Sequence, residues 1–381
     1  MNTNRLKSAL GAAALLAPLT IGIAQAQVPP AIETQLLKIG KIVDPPCTAK
    51  LYRPLMPVND VNSSVTPLYP GITVERDVSF GPNTKDVIDI FSADKGGSSR
   101  PVLMYIPGGA GNKIEQQDRE ANAFYDNIMR WATKNGMVGV NMQRHGGPNW
   151  DDGGKDVSLM IQWVEANISK YKGNPDRMFI WAQSAGNGPL GVYIGRPELW
   201  GPKGVGVKGA IFMSGQFNIL PLQPAGIAAG PGGRGTVDIL GAAGTTCGLP
   251  AGAAFSNAGA IAGPSRAEAA PAGRGGGGGA AGRGRGPRID PATQLARSSL
   301  PELKKTPVKI FLASAELDPG VDGKMSAFNQ TLHDELCKEG PAHCPAMLFE
   351  KGESHMSEVF SIGTPDTTVS GPILKWMKKI K

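Results

Sequence analysis

Short apolar runs alternate with helix-forming segments along most of the chain after residue 73, and this alternation is the strongest constraint on the fold. Apolar strands separated by amphipathic helices are typical of a mostly parallel sheet whose two faces are covered by helices. The sequence therefore predicts an α/β fold. The predicted strands are 74–80, 87–91, 102–106, 137–142, 178–182, 207–213, 308–313 and 347–349.

The clearest helix covers residues 154–171. Its apolar residues recur at intervals of three and four, which places them on one helical face; they are Val157, Met160, Ile161, Val164, Ile168 and Tyr171. Further helices are predicted at 118–133, 323–338 and 370–380. Sheets of this kind bind ligands at the carboxyl ends of their strands, so chemical motifs are expected there.

The first 26 residues have the pattern of a secretory signal peptide. A basic start precedes an apolar run at 9–23, and the small residues Ala24 and Ala26 follow it. A membrane anchor is the alternative, but the run is short for a span of about 20 residues, and Pro18 interrupts it. We therefore expect cleavage near Ala26 and a protein exported to the periplasm or the exterior, with no stable membrane anchor.

The mature chain then begins with a Pro-rich, weakly periodic stretch at 27–73, which we interpret as an extension on the domain surface. The net charge is +7 at pH 7, and loss of the signal's Arg5 and Lys7 lowers it by two. So modest an excess does not by itself indicate binding to nucleic acid.

Residues 216–295 interrupt the alternation. They include the run GRGGGGGAAGRGRGPR at 273–288 and have few large apolar side chains, so they cannot form a core of their own. Arg-Gly segments also occur in RNA-binding proteins, but export separates this chain from RNA. We therefore predict a flexible insertion, whose ends near 216–224 and 240–262 are candidates for a partial lid.

The four cysteines are Cys47, Cys247, Cys337 and Cys344. Disulfides persist in an oxidising compartment, and the short separation favours pairing of Cys337 with Cys344, although the sequence does not fix the connectivity. Pairing of Cys47 with Cys247 would then follow by elimination. Since no C-x-x-C or H-E-x-x-H motif occurs and the chain has only four histidines, we do not expect a metal site. The chemistry predicted below implies no organic cofactor either.

The strongest chemical signal is the segment Ala182-Gln183-Ser184-Ala185-Gly186, which follows a predicted strand and opens a predicted helix. A serine at such a sharp turn presents its hydroxyl clear of the sheet, and the tight turn requires small residues two positions before and after it. A serine that only caps the helix is the alternative. The placement predicts that Ser184 is a nucleophile.

A serine nucleophile needs a base, and three histidines follow Ser184. His333 lies within a predicted helix, and His343 lies beside Cys344. His355 lies in a loop directly after the last predicted strand, where a general base is expected, and we predict that it is the base.

The base needs an orienting acid, which in this chain order should follow the strand at 308–313. Asp318 is the best candidate, because Pro319 fixes the turn just after it. Glu316 and Asp322 are the alternatives.

A tetrahedral intermediate also needs N–H donors for its oxyanion. One is expected from Ala185, directly after the nucleophile, and the others from the glycine-rich loop that follows the strand at 102–106. In that loop Gly108 and Gly109 can bring backbone N–H groups close to a substrate. A phosphate loop would require a Lys-Ser or Lys-Thr pair after the glycines, and neither follows.

With these residues in place, the chain resembles the carboxylesterase and hormone-sensitive-lipase-like branch of the α/β-hydrolases, and also the related formamidases. The resemblance covers roughly 74–215 and 296–381, which we expect to form the catalytic domain. The segments that carry it are DVIDIF at 86–91, YIPGG at 105–109, 156–168 with Trp163, NPDRMFIWAQSAG at 174–186, 315–319 and HMSEVFSIGT at 355–364.

The resemblance implies a serine esterase with a Ser184–His355–Asp318 triad, acting on a small-molecule ester through an acyl-enzyme. Hydrolysis of an amide, formamide or peptide by the same triad is the alternative, and a non-catalytic binding scaffold is a third. The chain departs from the family at Pro107, where His is usual, and at Ala182, where Gly is usual. The insertion also replaces the family's helical lid, so lid behaviour is not carried over.

Overall fold

The computed structural model describes residues 27–56, 69–109, 124–222, 290–319 and 324–380. The predicted signal peptide, most of the predicted insertion and Cys247 lie outside these ranges.

The described strands form one eight-stranded sheet in the order β1-β2-β4-β3-β5-β6-β7-β8. β2 is antiparallel to both β1 and β4, and the pairs from β4 to β8 are parallel. The mostly parallel sheet predicted from the sequence is therefore confirmed. The strands are β1 (Ile72–Ser79), β2 (Val87–Ala93), β3 (Arg100–Ile106), β4 (Val138–Met142), β5 (Gly173–Gln183), β6 (Gly209–Met213), β7 (Lys309–Leu317) and β8 (Ala346–Ser354).

Helices cover both faces of this sheet. They are α1 (Pro30–Ile39), α2 (Pro45–Tyr52), α3 (Asp126–Lys134), α4 (Asp152–Asn167), α5 (Asn187–Ile194), α6 (Pro291–Ala296), α7 (Leu300–Leu303), α8 (Lys324–Cys337), α9 (Ser357–Phe360) and α10 (Ser370–Lys379). The helix predicted at 154–171 is α4, continued by a 3₁₀ turn over Ile168–Tyr171.

The two faces have separate apolar cores, because side chains alternate along each strand. On β3, Met104 and Ile106 belong to the layer that includes α4, α5 and α8, whereas Leu103 and Tyr105 belong to the layer that includes α3 and α10. All four are fully buried. Burial of such side chains stabilises the fold by roughly 1.5–3 kcal/mol each. Because both faces of β3 are buried, its sequence is a continuous apolar run.

The stretch predicted as a surface extension contains helices α1 and α2. The side chain of Asp44 caps α2 by accepting a hydrogen bond from the Cys47 N–H at 3.0 Å. Leu36 and Tyr52 are fully buried in the second layer. The described part of this segment therefore contributes to the core, which its weak periodicity did not indicate.

The sulfur atoms of Cys337 and Cys344 are joined in a disulfide between the end of α8 and the start of β8, the pairing that the sequence favours. None of the helices in the described ranges combines the length and the apolar character needed to cross a membrane.

Candidate active site

Ser184 follows β5 directly, in a left-handed backbone conformation with φ of 52°. Such a φ is strained for a residue with a side chain and marks a sharp turn. A Cβ on Gly186 would lie 2.6 Å from the Ile106 carbonyl oxygen, so this position requires glycine. Ala182 is fully buried in β5, and the core accommodates its methyl group.

The structure brings Ser184, His355 and Asp318 into one line of hydrogen bonds at the carboxyl edge of the sheet. The Nε2 atom of His355 lies 2.8 Å from Ser184 Oγ, and its Nδ1 atom lies 2.8 Å from Asp318 Oδ1. His355 and Asp318 are 2% and 3% exposed, so water does not compete for their contact. This geometry allows the imidazole to take a proton from the hydroxyl while the carboxylate holds the other ring nitrogen.

The Asp318 carboxylate is itself fixed by two further donors. Its Oδ2 atom accepts hydrogen bonds from Ser214 Oγ at 2.6 Å and from the Ala315 N–H at 3.1 Å. Ser214 lies directly after β6 with φ of 40°, and its side chain is buried against the carboxylate. The orientation of Asp318 is therefore set by β6 and β7 together.

Of the alternative residues from the sequence, Glu316, His333 and His343 lie elsewhere. The carboxylate of Glu316 accepts the Gly352 N–H at 2.7 Å, on the backbone of β8. The ring of His333 lies beside the disulfide, 3.6 Å from Cys337 Sγ and 3.7 Å from Cys344 Sγ. His343 follows α8 near the same disulfide, and Asp322 lies outside the described residues.

The residues predicted for oxyanion binding are next to Ser184. A Cβ on Gly108 would lie 2.8 Å from Ser184 Cβ and 2.4 Å from Gln183 Oε1, so the loop after β3 packs directly on the nucleophile. Gly109 follows with φ of 56°. Ala185 is exposed in the short turn that begins at Ser184. A substrate carbonyl at Ser184 would therefore lie between the backbone of the loop after β3 and the backbone of the turn that begins at Ser184.

Arg144, which follows β4, holds this loop in place. Its Nη2 donates to the Gly109 carbonyl at 2.7 Å, and its Nε donates to the Pro107 carbonyl at 3.4 Å. Burial lowers the pKa of Arg144, and the nearby charge of Asp156 partly offsets this effect. The guanidinium thus anchors the loop at the position where Pro107 replaces the usual His.

Three buried glutamates lie behind the site. Glu350, Glu353 and Glu358 are all fully buried. Burial raises the pKa of each well above its usual range, and neighbouring carboxyls raise it further. Charged carboxylates in such surroundings are strongly disfavoured, so burial favours the neutral form of these groups.

Three clusters in the described residues bring potential metal ligands together. One contains Asp318, His355 and Glu358. Asp318 and His355 belong to the line of hydrogen bonds from Ser184, and Glu358 Oε2 lies 2.5 Å from Ser214 Oγ. In the second, His333, Cys337 and Cys344, both sulfurs are in a disulfide and are not thiolate ligands. In the third, His145 Nδ1 lies 3.1 Å from an Asp86 oxygen and 3.3 Å from an Asp156 oxygen.

The sequence did not identify Ser214, Glu358 or Arg144 as members of the site. Ser214 immediately follows a predicted strand, and Glu358 comes three residues after His355. Both positions therefore lie at the edge of the sheet where site residues are expected. Ser214 belongs to no motif, however, and the resemblance carried by 355–364 implied no role for Glu358. The contacts of both residues depend on partners more than a hundred positions away.

Comparison with known proteins finds similarity to esterases. The family model described as BD-FAE matches residues 88–195. Chlorogenic acid esterase from Aspergillus niger is 34% identical over 110 residues, which is 26% of this chain and 20% of that protein. The probable carboxylic ester hydrolase LipM from Mycobacterium tuberculosis is 32% identical over 126 residues, 31% of this chain and 28% of that protein. The chain thus matches less than a third of the length of either relative.

Among solved structures, a bacterial heroin esterase superposes with a TM-score of 0.53 at 14% identity, and covers 92% of this chain and 96% of its own. At this identity the likeness concerns the fold. Together with the sheet order, the strand-to-helix turn at Ser184 and the local family match, it identifies the chain as a protein of the α/β-hydrolase fold, similar to carboxylesterases of that fold.

Proposed function

We propose that this protein is an exported serine esterase that hydrolyses small-molecule carboxylic esters. The observation that carries the proposal is the hydrogen-bonded line from Ser184 Oγ through His355 to Asp318. The matches to named esterases support the reaction class. The signal-like N-terminus and the disulfide support export.

In the proposed mechanism Ser184 Oγ attacks the ester carbonyl carbon while His355 Nε2 takes the hydroxyl proton. Asp318 Oδ1 accepts the hydrogen bond from Nδ1–H and stabilises the imidazolium. The N–H groups of Gly108, Gly109 and Ala185 bind the oxyanion. His355 then protonates the departing alcohol, which leaves an acyl group on Ser184.

In the second half of the reaction, His355 takes a proton from water, which attacks the acyl carbonyl. Collapse of the second tetrahedral intermediate releases the carboxylic acid and returns the proton to Ser184. The same groups would serve for an amide, so a matched panel of esters and anilides decides between the two substrate classes.

The test compares the unsubstituted protein with Ser184→Ala on p-nitrophenyl esters of increasing chain length. We expect turnover to fall at least about 10³-fold, as for removal of other serine nucleophiles. Ser169→Ala, an exposed serine far from the site, is the matched control. A fluorophosphonate should label the unsubstituted protein at Ser184, and equal rates for Ser184→Ala and the unsubstituted protein would reject the proposal.

A further inference from the structure

The Ser214 hydroxyl lies between two carboxyl groups. Its Oγ atom is 2.6 Å from Asp318 Oδ2 and 2.5 Å from Glu358 Oε2, and it also accepts the Ala315 N–H at 3.2 Å. Ser214, Asp318 and Glu358 are each at least 97% buried. Water therefore does not complete these contacts, and the hydrogen atoms must come from the groups themselves.

A count of the hydrogen atoms decides which group donates. A hydroxyl has one hydrogen to donate, so it cannot donate to both carboxyl oxygens. If both carboxyls were ionised, one of the two short contacts would bring the Ser214 oxygen against a carboxylate oxygen with no hydrogen atom between them. One carboxyl therefore carries a proton on the oxygen that faces Ser214.

Asp318 already accepts hydrogen bonds from His355 and from the Ala315 N–H, so it is placed as an acceptor rather than as a donor. Glu358 receives a hydrogen bond from Gln183 Nε2 at 2.8 Å on its other oxygen, Oε1, which leaves Oε2 free to hold the proton. Burial, together with the neighbouring carboxyls of Glu350 and Asp318, raises the pKa of Glu358. The proton therefore belongs on Glu358.

We infer that Glu358 is a neutral positioning residue: its Oε2–H donates to Ser214 Oγ, and this directs the Ser214 hydroxyl onto Asp318. The inference rests on the proposed triad, because its effect is exerted through the acid of that triad. The order of donation is Glu358 to Ser214 to Asp318, with His355 donating to Asp318 from the other side.

Neutrality is what makes Glu358 useful in this position. Ionised, it would take the Ser214 hydrogen for itself and set a second negative charge beside Asp318. Gln183 fixes the group from the opposite side, since its Nε2 donates both to Glu358 and, at 3.0 Å, to the His355 carbonyl. Glu358 is thereby held between the backbone of the base and the side chain that supports the acid.

The first test uses Glu358→Ala and Glu358→Gln. The glutamine amide can donate to Ser214 and accept from Gln183, but it cannot ionise. We expect Glu358→Ala to lower kcat per titrated active site about 10- to 100-fold with KM changed less than about twofold, as when a buried polar group is left without one of its hydrogen-bond partners. Glu358→Gln should restore turnover to within about fivefold of the unsubstituted protein. A glutamine variant as impaired as the alanine variant overturns the inference, and so does an alanine variant with undiminished kcat.

The second test asks whether Glu358 acts through Ser214. Ser214→Ala removes the intermediary, so adding Glu358→Ala to it should cost less than about threefold more, whereas independent roles would multiply the two losses. Glu353→Gln changes an equally buried carboxyl that contacts Ser357 and Tyr52, and is the matched control with unchanged kcat per site. Multiplied losses in the double variant overturn the inference.

Titration of active sites with a fluorophosphonate separates a positioning role from a structural one, because misfolded protein is not counted. It also separates the two proposals. No labelling of the unsubstituted protein at Ser184 means that the proposed function has failed. Labelling at Ser184 together with the contrary variant results means that only the role of Glu358 is wrong.

Discussion

Replacement of Asp318 by Asn should remove most of the activity without removing the site. The Ala315 N–H cannot turn away from residue 318, so the amide oxygen must remain on that side to accept it. The amide NH₂ group then faces His355 Nδ1, 2.8 Å away in the unsubstituted protein. Because both groups cannot donate, Nδ1 must give up its hydrogen, and the ring carries its proton on Nε2.

An imidazole protonated on Nε2 cannot accept the proton of Ser184, whose oxygen lies 2.8 Å from that nitrogen. We therefore expect kcat to fall about 10³- to 10⁴-fold, as when the acid of other serine triads becomes an amide. At 1.36 kcal/mol for each factor of ten, this is about 4–5.5 kcal/mol of transition-state stabilisation. The measurement is kcat on a p-nitrophenyl ester, with Tm recorded for each variant.

Glu316→Gln is the matched control, since its carboxylate lies two residues before Asp318 but accepts the Gly352 N–H on β8. A glutamine oxygen can accept the same bond, so we expect kcat within about threefold of the unsubstituted value. The reasoning is refuted if Asp318→Asn keeps more than about a tenth of the activity, or if Glu316→Gln loses as much as Asp318→Asn.

Two further predictions concern the loop at Gly109 and the buried glutamates. Arg144→Ala should lower kcat/KM about tenfold, because the Pro107 and Gly109 carbonyls lose their charged donor. Arg144→Lys should have a kcat/KM between those of the unsubstituted protein and Arg144→Ala. Equal kcat/KM for all three proteins would contradict the anchoring role. Glu353 has a raised pKa in the folded protein, whereas in the unfolded chain it ionises at about 4.3. The folded state therefore binds more protons above that pH, and stability falls as pH rises towards the folded-state pKa. Glu353→Gln removes this dependence, so its Tm relative to the unsubstituted protein should increase between pH 5 and pH 8; a constant difference would show that the carboxyl is not held neutral.

The sequence predicted the parts of the fold that depend on local patterns. The apolar run at 102–106 indicated β3, and the offsets within 154–171 indicated α4, because periodicity reflects which side chains face the core. Small residues around Ser184 and the loop after the last strand likewise indicated where Ser184 and His355 stand relative to the sheet.

Contacts between distant segments were not accessible in the same way. Ser214 and Asp318 are 104 residues apart, and Ser214 and Glu358 are 144 apart. No periodicity or motif in the sequence links residues so far apart. A glutamate that will be buried also cannot be distinguished in the sequence from one that will be exposed. For the same reason the burial of Tyr52 could not be read from the Pro-rich stretch around it.

The packing of α2 has a consequence for any shortened form of this protein. The Tyr52 hydroxyl lies 3.3 Å from Glu353 and 3.1 Å from Asp366, in segments 301 and 314 residues further along. Removal of the segment that contains α2 would leave a water-filled cavity in place of the Tyr52 ring. The Glu353 carboxyl would then be hydrated, and its pKa would fall towards its ordinary value, because burial is the main cause of the rise. A trimmed protein is therefore expected to be less stable overall, with a smaller contribution of Glu353 to the loss of stability as pH rises.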